Sequence, residues 1–289
     1  MRWLTLLRPS QWLKNGFVLA PLLFSGLATQ RAELSAAALA FASFCLLASG
    51  GYVINDLRDR VADTQHPSKR FRPLAAGTIK VRHAVQVATA LIVGALLLAF
   101  AVNPSVGVFA LSYLALSLAY TFGLKRLVII DVFAIATFYV LRLLAGSAAI
   151  GVKPSIWLLI CGSLLALYLG FAKRRHELLL MGEGSTDHRS VLREYSPAFL
   201  DQMSVVLLSV TIVSYLMYTI SSETAVRVGA DLLAYSSVFV LYGVFRYMYL
   251  VHRRQAGGSP TNTLLTDRAL LAAVAGWLAY CGWIIYRPL

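Results

Sequence analysis

Asp56, Asp59 and Asp63 follow one another at intervals of three and four residues, with Asn55 immediately before the first. If the apolar run ahead of them continues as a helix past Ile54, the three carboxylates share one face. At 1.5 Å per residue they spread over about 10 Å. Three like charges in a row repel one another unless cations sit among them. One arrangement is a solvated loop neutralised by Arg58 and Arg60. The other is a platform for Mg2+, which takes one or two carboxylates with waters and substrate phosphates rather than an all-protein cage. Lys69, Arg70 and Arg72 follow closely and suit the outer oxygens of a diphosphate held in that way.

Two further groups could serve phosphate chemistry. FAKRRHELL, residues 171–179, gathers Lys173, Arg174, Arg175 and Glu177 within about one helical turn. A snorkelling collar with Lys173 and Glu177 as an i, i+4 pair is the plain reading, and a phosphate clamp is the other. Arg142 sits 14 residues into the apolar run beginning at residue 128, about 20 Å deep on a straight helix. A charge at that depth marks function or an internal acid partner. Asp131, Tyr139 and Arg142, at offsets of zero, eight and eleven, fall on one helix face. Nearly all apolar runs lack an acid, so an anionic ligand competes with a structural ion pair as the partner of Arg142. Tyr120, Lys125 and Arg126 end another apolar run and could join a phosphate site, while Asp267 suits the capping of a helix N-terminus.

These residues must be positioned by elements built for lipid. Of 289 residues, 58% are hydrophobic and only 13% charged, with a mean hydropathy of +0.70, against about 25% charged in soluble domains. The apolar runs are long and continuous, which excludes a barrel of alternating strands. Candidate spans are 15–30, 35–54, 84–102, 106–122, 128–150, 154–172, 203–221, 231–250 and 269–286. The basic N-terminus imitates a secretory signal, but Trp12, Lys14 and Pro21 interrupt it, and it reads as a first helix. Lys and Arg alternate by side: Arg2, Arg8 and Lys14, Arg58 through Arg82, Lys125 and Arg126, Lys173 through Arg193, and Arg246 through Arg268 collect on one side. The other receives Arg31, Lys153, Arg227 and Arg287. The expectation is an all-α integral membrane protein, nine transmembrane helices in a single bundle over residues 1–289, with a cytoplasmic N-terminus. Topology and anionic headgroups account for much of the net charge of +13, so nucleic acid is not implied as a partner, whereas the lipid bilayer is. Cys45, Cys161 and Cys281 sit inside apolar runs and show no disulfide or metal spacing, and the five histidines no zinc-type pairing.

Asn55-Asp56-x-x-Asp59-x-x-x-Asp63 after the second apolar run resembles the first aspartate-rich motif of the UbiA superfamily of intramembrane prenyltransferases. The resemblance implies a UbiA-like bundle whose cavity opens to the cytoplasm and laterally to lipid. The second aspartate-rich motif of that family is missing; Lys173-Arg174-Arg175-His176-Glu177 stands in its place. NDLRDRVADTQHPSKRFRPLAAG at 55–77, Asp131 with Tyr139 and Arg142, KRRHEL and the TDR of 266–268 are similar to the branch that transfers phosphoribose to decaprenyl phosphate. That branch implies 5-phosphoribosyl diphosphate and a polyprenyl phosphate as substrates and Mg2+ as cofactor, on a multi-pass enzyme of the plasma membrane. In actinobacteria its product feeds cell-wall arabinan. The resemblance implies Asn55, Asp56, Asp59 and Asp63 around the metal, with Tyr139 and Arg142 reaching the reacting groups. Lys14, Lys69, Arg70, Arg72, Tyr120, Lys125, Lys173, Arg174 and Glu177 are the further substrate-binding candidates.

Two rival functions stay open. A conventional prenyl transfer to an aromatic acceptor fits the fold, though the missing second acidic motif speaks against it. A non-catalytic lipid-phosphate carrier would place polar groups in repeated broken helices near the midplane, whereas here they gather at one face. Prenyl length and oligomeric state are not set by the sequence, and a homo-oligomer is compatible with it.

Overall fold

A computed structural model describes residues 2–65, 69–180, 192, 194–221, 232–253 and 260–287. His66, Pro67 and Ser68 of the acidic stretch, Arg193, Arg227 and Asp231 lie outside the described residues. Every regular element among those described is helical. Among the described residues, eight helical stretches are long and apolar enough to cross a membrane, beginning with Arg31–Gln65 and ending with Arg268–Tyr286. The chain forms two compact units, one of Met1–Lys125 and Leu141–Pro154, the other of Arg126–Val140 and Ser155–Leu289.

The first unit holds α1 (Arg2–Leu7), α2 (Ala20–Phe24), α3 (Arg31–Thr64), α4 (Val81–Val102) and α5 (Pro104–Phe122). A proline-free run of 34 residues lets α3 continue ten residues beyond the apolar limit expected at Ile54. Its inner face packs Val53 with Leu6, Leu74, Ile79, Ala84 and Ala88. Within the apolar layer, the buried Ser43 hydroxyl donates to the Ala95 carbonyl at 2.8 Å, so this hydroxyl does not face hydrocarbon unmet. The α4–α5 turn is closed by Asn103, whose side chain accepts from the Val106 N–H at 2.9 Å, with Pro104 at the first helical position.

The expected span 15–30 is a correction. Instead of one helix, Pro9–Val18 forms a 3-10 segment and Ala20–Phe24 a short α-helix. Arg8 enters the segment in the left-handed region at φ 53, and Gly16 and Pro21 interrupt the stretch beyond it. The segment persists because α3 satisfies its polar groups. Trp12 Nε1 donates to Ser49 Oγ at 3.0 Å, Asn15 Nδ2 to Cys45 Sγ at 3.3 Å, and Ser49 Oγ to the Leu7 carbonyl at 2.8 Å. Arg8 donates to Asp56 at the same edge. Cys45, Ser49, Tyr52 and Asp56 step by four, three and four along one face of α3. Residues 8 to 15 cover about 14 Å at the 3-10 rise of about 2 Å, close to the roughly 16 Å from Cys45 to Asp56 on α3. An α-helical segment would cover only about 10 Å and fall out of step.

α6 (Ile130–Ala149) is divided between the units, its last turns belonging to the first. There Gly146 meets the 3-10 segment: a methyl group added to it would overlap the Val18 carbonyl oxygen and lie 2.8 Å from its carbon.

The second unit contains α7 (Ile156–Leu180), α8 (Pro197–Ile220), α9 (Ser237–Arg253), α10 (Pro260–Thr266) and α11 (Arg268–Tyr286). One core joins Tyr168, Ala172, Leu208, Tyr247, Leu250, Val251 and Leu270; a second joins Val132, Phe171, Leu192, Tyr195 and Leu200. Asp267 caps α11 as its position suggested, accepting from the Leu270 N–H at 2.9 Å while also binding Arg246 at 2.8 Å.

Because Val18 backbone occupies the space a side chain at residue 146 would need, Gly146→Ala is expected to cost about 1–3 kcal/mol, the scale of overpacking a tight interior. Thermal unfolding in detergent checks this. An unchanged midpoint would mean that the 3-10 segment yields freely.

Candidate active site

The continuation of α3 places all three aspartates on one face, and each is met by a cation. Arg8 Nη2 donates to both oxygens of Asp56, at 2.6 and 2.9 Å. Arg72 Nη1 bridges Asp56 Oδ1 at 3.1 Å and Asp63 Oδ2 at 2.7 Å. Lys125 Nζ donates to both oxygens of Asp59, at 2.7 and 2.9 Å, and reaches Asn55 Oδ1 at 3.4 Å. The neutralising cations are therefore not Arg58 and Arg60. Arg58 instead lies 6.0 Å over the Phe122 ring. Arg72 is carried in by the 3-10 turn Lys69–Phe71, its N–H donating to the Lys69 carbonyl at 2.9 Å. Lys125 comes from the 3-10 turn Leu124–Arg126 just after α5. Arg70 rests on the Phe71 ring at 4.9 Å.

The donor set of this ledge is oxygen only: one amide and three carboxylates. That chemistry fits a hard divalent cation such as Mg2+. Among the described residues no three His, Cys, Asp or Glu side chains converge into a cage. A cage is not required for a metal that fills its remaining positions with water and substrate phosphate. Asp59 keeps a quarter of its side chain exposed, which leaves it accessible to such a complex.

Deeper in the same unit, Arg142 is buried. Its Nε donates to Asn15 Oδ1 at 2.6 Å and its Nη2 to the Tyr113 hydroxyl at 2.7 Å, with the guanidinium 4.8 Å over the Tyr113 ring. The bonds to the amide oxygen and the phenol orient the guanidinium. Lys14 lies outside the eight spanning helices, and its ammonium is held down to about 8, first by burial and then by Arg142 and Arg8. Lys14 therefore lies within reach of the fields of Arg142 and Arg8, beside the acidic ledge. Asn15 and Arg8 escape a search by spacing, because their partners lie 127 and 48 positions away in the chain.

In the second unit the basic cluster is turned to structural use. Arg174 has no exposed side-chain surface; its Nε donates to Asp131 Oδ2 at 2.5 Å, and it also pairs with Glu177. Tyr195 donates to Asp131 Oδ1 at 2.9 Å and accepts the Ile129 N–H at 2.6 Å. Ile129 itself is left-handed at φ 67, an uncommon state for a β-branched residue. Burial, ahead of the opposing bond from Ile129, pushes the Tyr195 phenol up to about 12 and keeps it a donor. Lys173 stands 3.9 Å from Glu177, the plain i, i+4 pair. Arg175 and His252 both meet Asp201. Asp131, Tyr139 and Arg142, expected on one helix face, are divided between the two units. Asp131 binds Arg174, Arg142 binds Asn15 and Tyr113, and the buried Tyr139 belongs to the second unit. Tyr120 is half-buried near the end of α5.

The model of the UbiA prenyltransferase family matches residues 18–266. The chain is similar to the decaprenyl-phosphate phosphoribosyltransferase of Corynebacterium glutamicum, with 33% identity over 277 residues, covering 94% of this chain and 83% of the other. The protein of the same name from Mycobacterium tuberculosis is 32% identical over 280 residues, covering 96% of this chain and 91% of the other. Among solved structures, a UbiA homolog from Archaeoglobus fulgidus bound to GPP and Mg2+ matches with a TM-score of 0.73 and 23% identity, over 99% of this chain and 100% of that one, a likeness of fold.

Breaking the buried pair from one side leaves an uncompensated charge. Arg174→Met is expected to cost about 3–5 kcal/mol, and Arg174→Met with Asp131→Leu markedly less. Unfolding of the two variants in detergent measures the difference; equal losses would show that the pair contributes only packing.

Proposed function

Because the chain belongs to the UbiA prenyltransferase family, we propose that it transfers 5-phosphoribose from 5-phosphoribosyl 1-diphosphate to a decaprenyl-like polyprenyl phosphate, releasing pyrophosphate. The observation that carries this reading is the single acidic ledge of Asn55, Asp56, Asp59 and Asp63 with Arg72 and Lys125 already on it, in a sequence that reads KRRHE where a second acidic motif would stand. A prenyl diphosphate donor calls for two acidic metal sites. A ribosyl diphosphate with a separate 5-phosphate, meeting a lipid monophosphate, calls for one acidic site and several basic ones. The positive-inside bias of the connections supports a multi-pass membrane enzyme with its site facing the cytoplasm, here read as one catalytic domain of the plasma membrane.

Asn55, Asp56, Asp59 and Asp63 would hold Mg2+ against the donor diphosphate. The chemistry a bound magnesium ion supplies is neutralisation of charge gathering on the departing pyrophosphate. Arg72 and Lys125, already at the ledge, and Lys69 and Arg70 on the adjoining turn supply donors to the diphosphate oxygens. An oxygen of the polyprenyl phosphate forms the new bond to the anomeric carbon as that carbon's bond to the diphosphate oxygen breaks. The electron pair of the broken bond leaves with pyrophosphate, and the ribose carries oxocarbenium character between. A phosphate monoester with its second pKa around 6 is already an anionic nucleophile near neutral pH, so no general base is assigned. Lys14 and Arg142 suit a phosphate lying deeper along the 3-10 segment, with Asn15 orienting Arg142. Tyr139 and Tyr120 are assigned to line the substrates. Lys173 remains a phosphate ligand in this reading, while Arg174 and Glu177 act by positioning the start of α6 and the end of α7.

Membranes given radiolabelled 5-phosphoribosyl diphosphate and decaprenyl phosphate should move label into the organic phase. Asp56→Ala and Asp59→Ala should lower that transfer by about a hundredfold or more, the scale of about 3 kcal/mol of lost charge stabilisation. Label that stays aqueous while a prenyl diphosphate is consumed would favour prenyl transfer instead.

Lys14 gives the expected pH dependence. Its folded value of about 8 lies below the ordinary 10.5, and only its protonated form attracts an anion. Affinity for a phosphate substrate should therefore fall as pH rises through about 8, and Lys14→Met should weaken binding at pH 7 and flatten that fall. KM profiles for both substrates, measured across the alkaline range on either side of that value, would refute the assignment if wild type and variant ran parallel.

A further inference from the structure

Arg8, which the sequence places only among the basic residues of the N-terminus, has the geometry of a built position at the acidic ledge. Its backbone sits at φ 53 and ψ 57, a region uncommon for a non-glycine residue. The Arg8 N–H donates to the Leu4 carbonyl at 3.0 Å, and the Gln11 N–H donates to the Arg8 carbonyl at 2.9 Å, so the chain is pinned on both sides. The guanidinium rests 5.0 Å over the Tyr52 ring and meets both oxygens of Asp56. With Arg72 and Lys125 it completes a set of three cations for three carboxylates.

We infer that Arg8, Arg72 and Lys125 form a resident counter-ion set that holds the carboxylates while the donor is absent and transfers to phosphate oxygens when a metal-bound diphosphate enters. Metal and diphosphate then bind far better together than either does alone, and Arg8 is a further residue of the donor site. The inference rests on reading the ledge as a metal–diphosphate site. Its physical basis is charge balance. The ledge with its three cations carries no net charge, so a bare divalent ion gains little long-range attraction there. To reach the oxygens it must also displace a cation, which would be left in partly buried surroundings without a counter-charge. A diphosphate removes that penalty, because its oxygens accept guanidinium and ammonium donors as strongly as carboxylates do. Linkage makes the effect reciprocal: whatever the diphosphate does for metal affinity, the metal does for diphosphate affinity.

A purely structural set of salt bridges and an exchanging set differ in sign. If the cations only brace the fold, removing one weakens every ligand. If they compete for the metal's oxygens, removing one improves the metal alone and harms the metal–diphosphate complex. Mn2+ replaces Mg2+ as the probe, and free Mn2+ is counted by electron paramagnetic resonance on purified protein in lipid nanodiscs. Arg8→Met and Lys125→Met are compared with wild type, and Arg8→Lys serves as the charge-preserving rescue. Mn2+ alone should bind wild type weakly and either Met variant about tenfold more tightly, within the usual range of such couplings. Preformed Mn2+–pyrophosphate should bind wild type more tightly than Mn2+ alone and lose about tenfold in the same variants. Arg8→Lys should stay near wild type in both titrations. If Mn2+ alone binds both Met variants no better than wild type while Mn2+–pyrophosphate binds wild type well, the exchange is wrong and the donor site stands. If neither Mn2+ nor its pyrophosphate complex binds wild type, the donor-site reading itself falls.

Discussion

Three carboxylates stacked on one face of a helix at a membrane boundary repel one another, and the first unit is organised around supplying the cations that quiet them. The three come from separate places in the chain: Arg8 ahead of the 3-10 segment, Arg72 on the turn after α3, and Lys125 just past α5. Each delivery fixes a piece of structure. The turn at Lys69–Phe71 folds back so that Arg72 reaches between Asp56 and Asp63, and α5 ends where Lys125 can reach Asp59. The charges that would perform chemistry are also the charges that hold the local fold.

The second unit handles charge in the opposite way. Arg174 and Asp131 are withdrawn from solvent altogether and joined by Tyr195 and Glu177. Such a pair adds little net stability over apolar residues of similar size but penalises any arrangement that separates it. It thereby fixes the start of α6 against the end of α7. The left-handed Ile129 is tolerated because the Tyr195 hydroxyl occupies its N–H.

Much of this is legible in the sequence. The apolar runs locate eight helical stretches among the described residues, because hydrophobic length is a property of each segment alone, but not where α3 and α7 end beyond the apolar limit. The i, i+3, i+7 aspartates give the ledge, Asp267 gives its cap, and the depth of Arg142 marks it as internally engaged. Partners set by tertiary structure escape such reading. Arg8 meets Asp56 across 48 positions and Arg142 meets Asn15 across 127, separations at which no local period carries information. The first span misleads for a related reason: its apolar content is sufficient, but its polar side chains find their partners only on α3. Arg174 looks like a ligand because a basic run at a helix end reads the same whether it faces water or an internal acid.

The 3-10 segment also constrains the order in which the molecule can be built. With Arg8, Trp12, Lys14 and Asn15 within eight positions and α2 only five residues long, this stretch would enter hydrocarbon alone with its main-chain and side-chain donors unmet, which lipid does not tolerate. The acceptors it needs at Ser49, Cys45 and Asp56 emerge from synthesis only after it. Although it precedes α3 in the chain, its side chains can be satisfied only once α3 has been made.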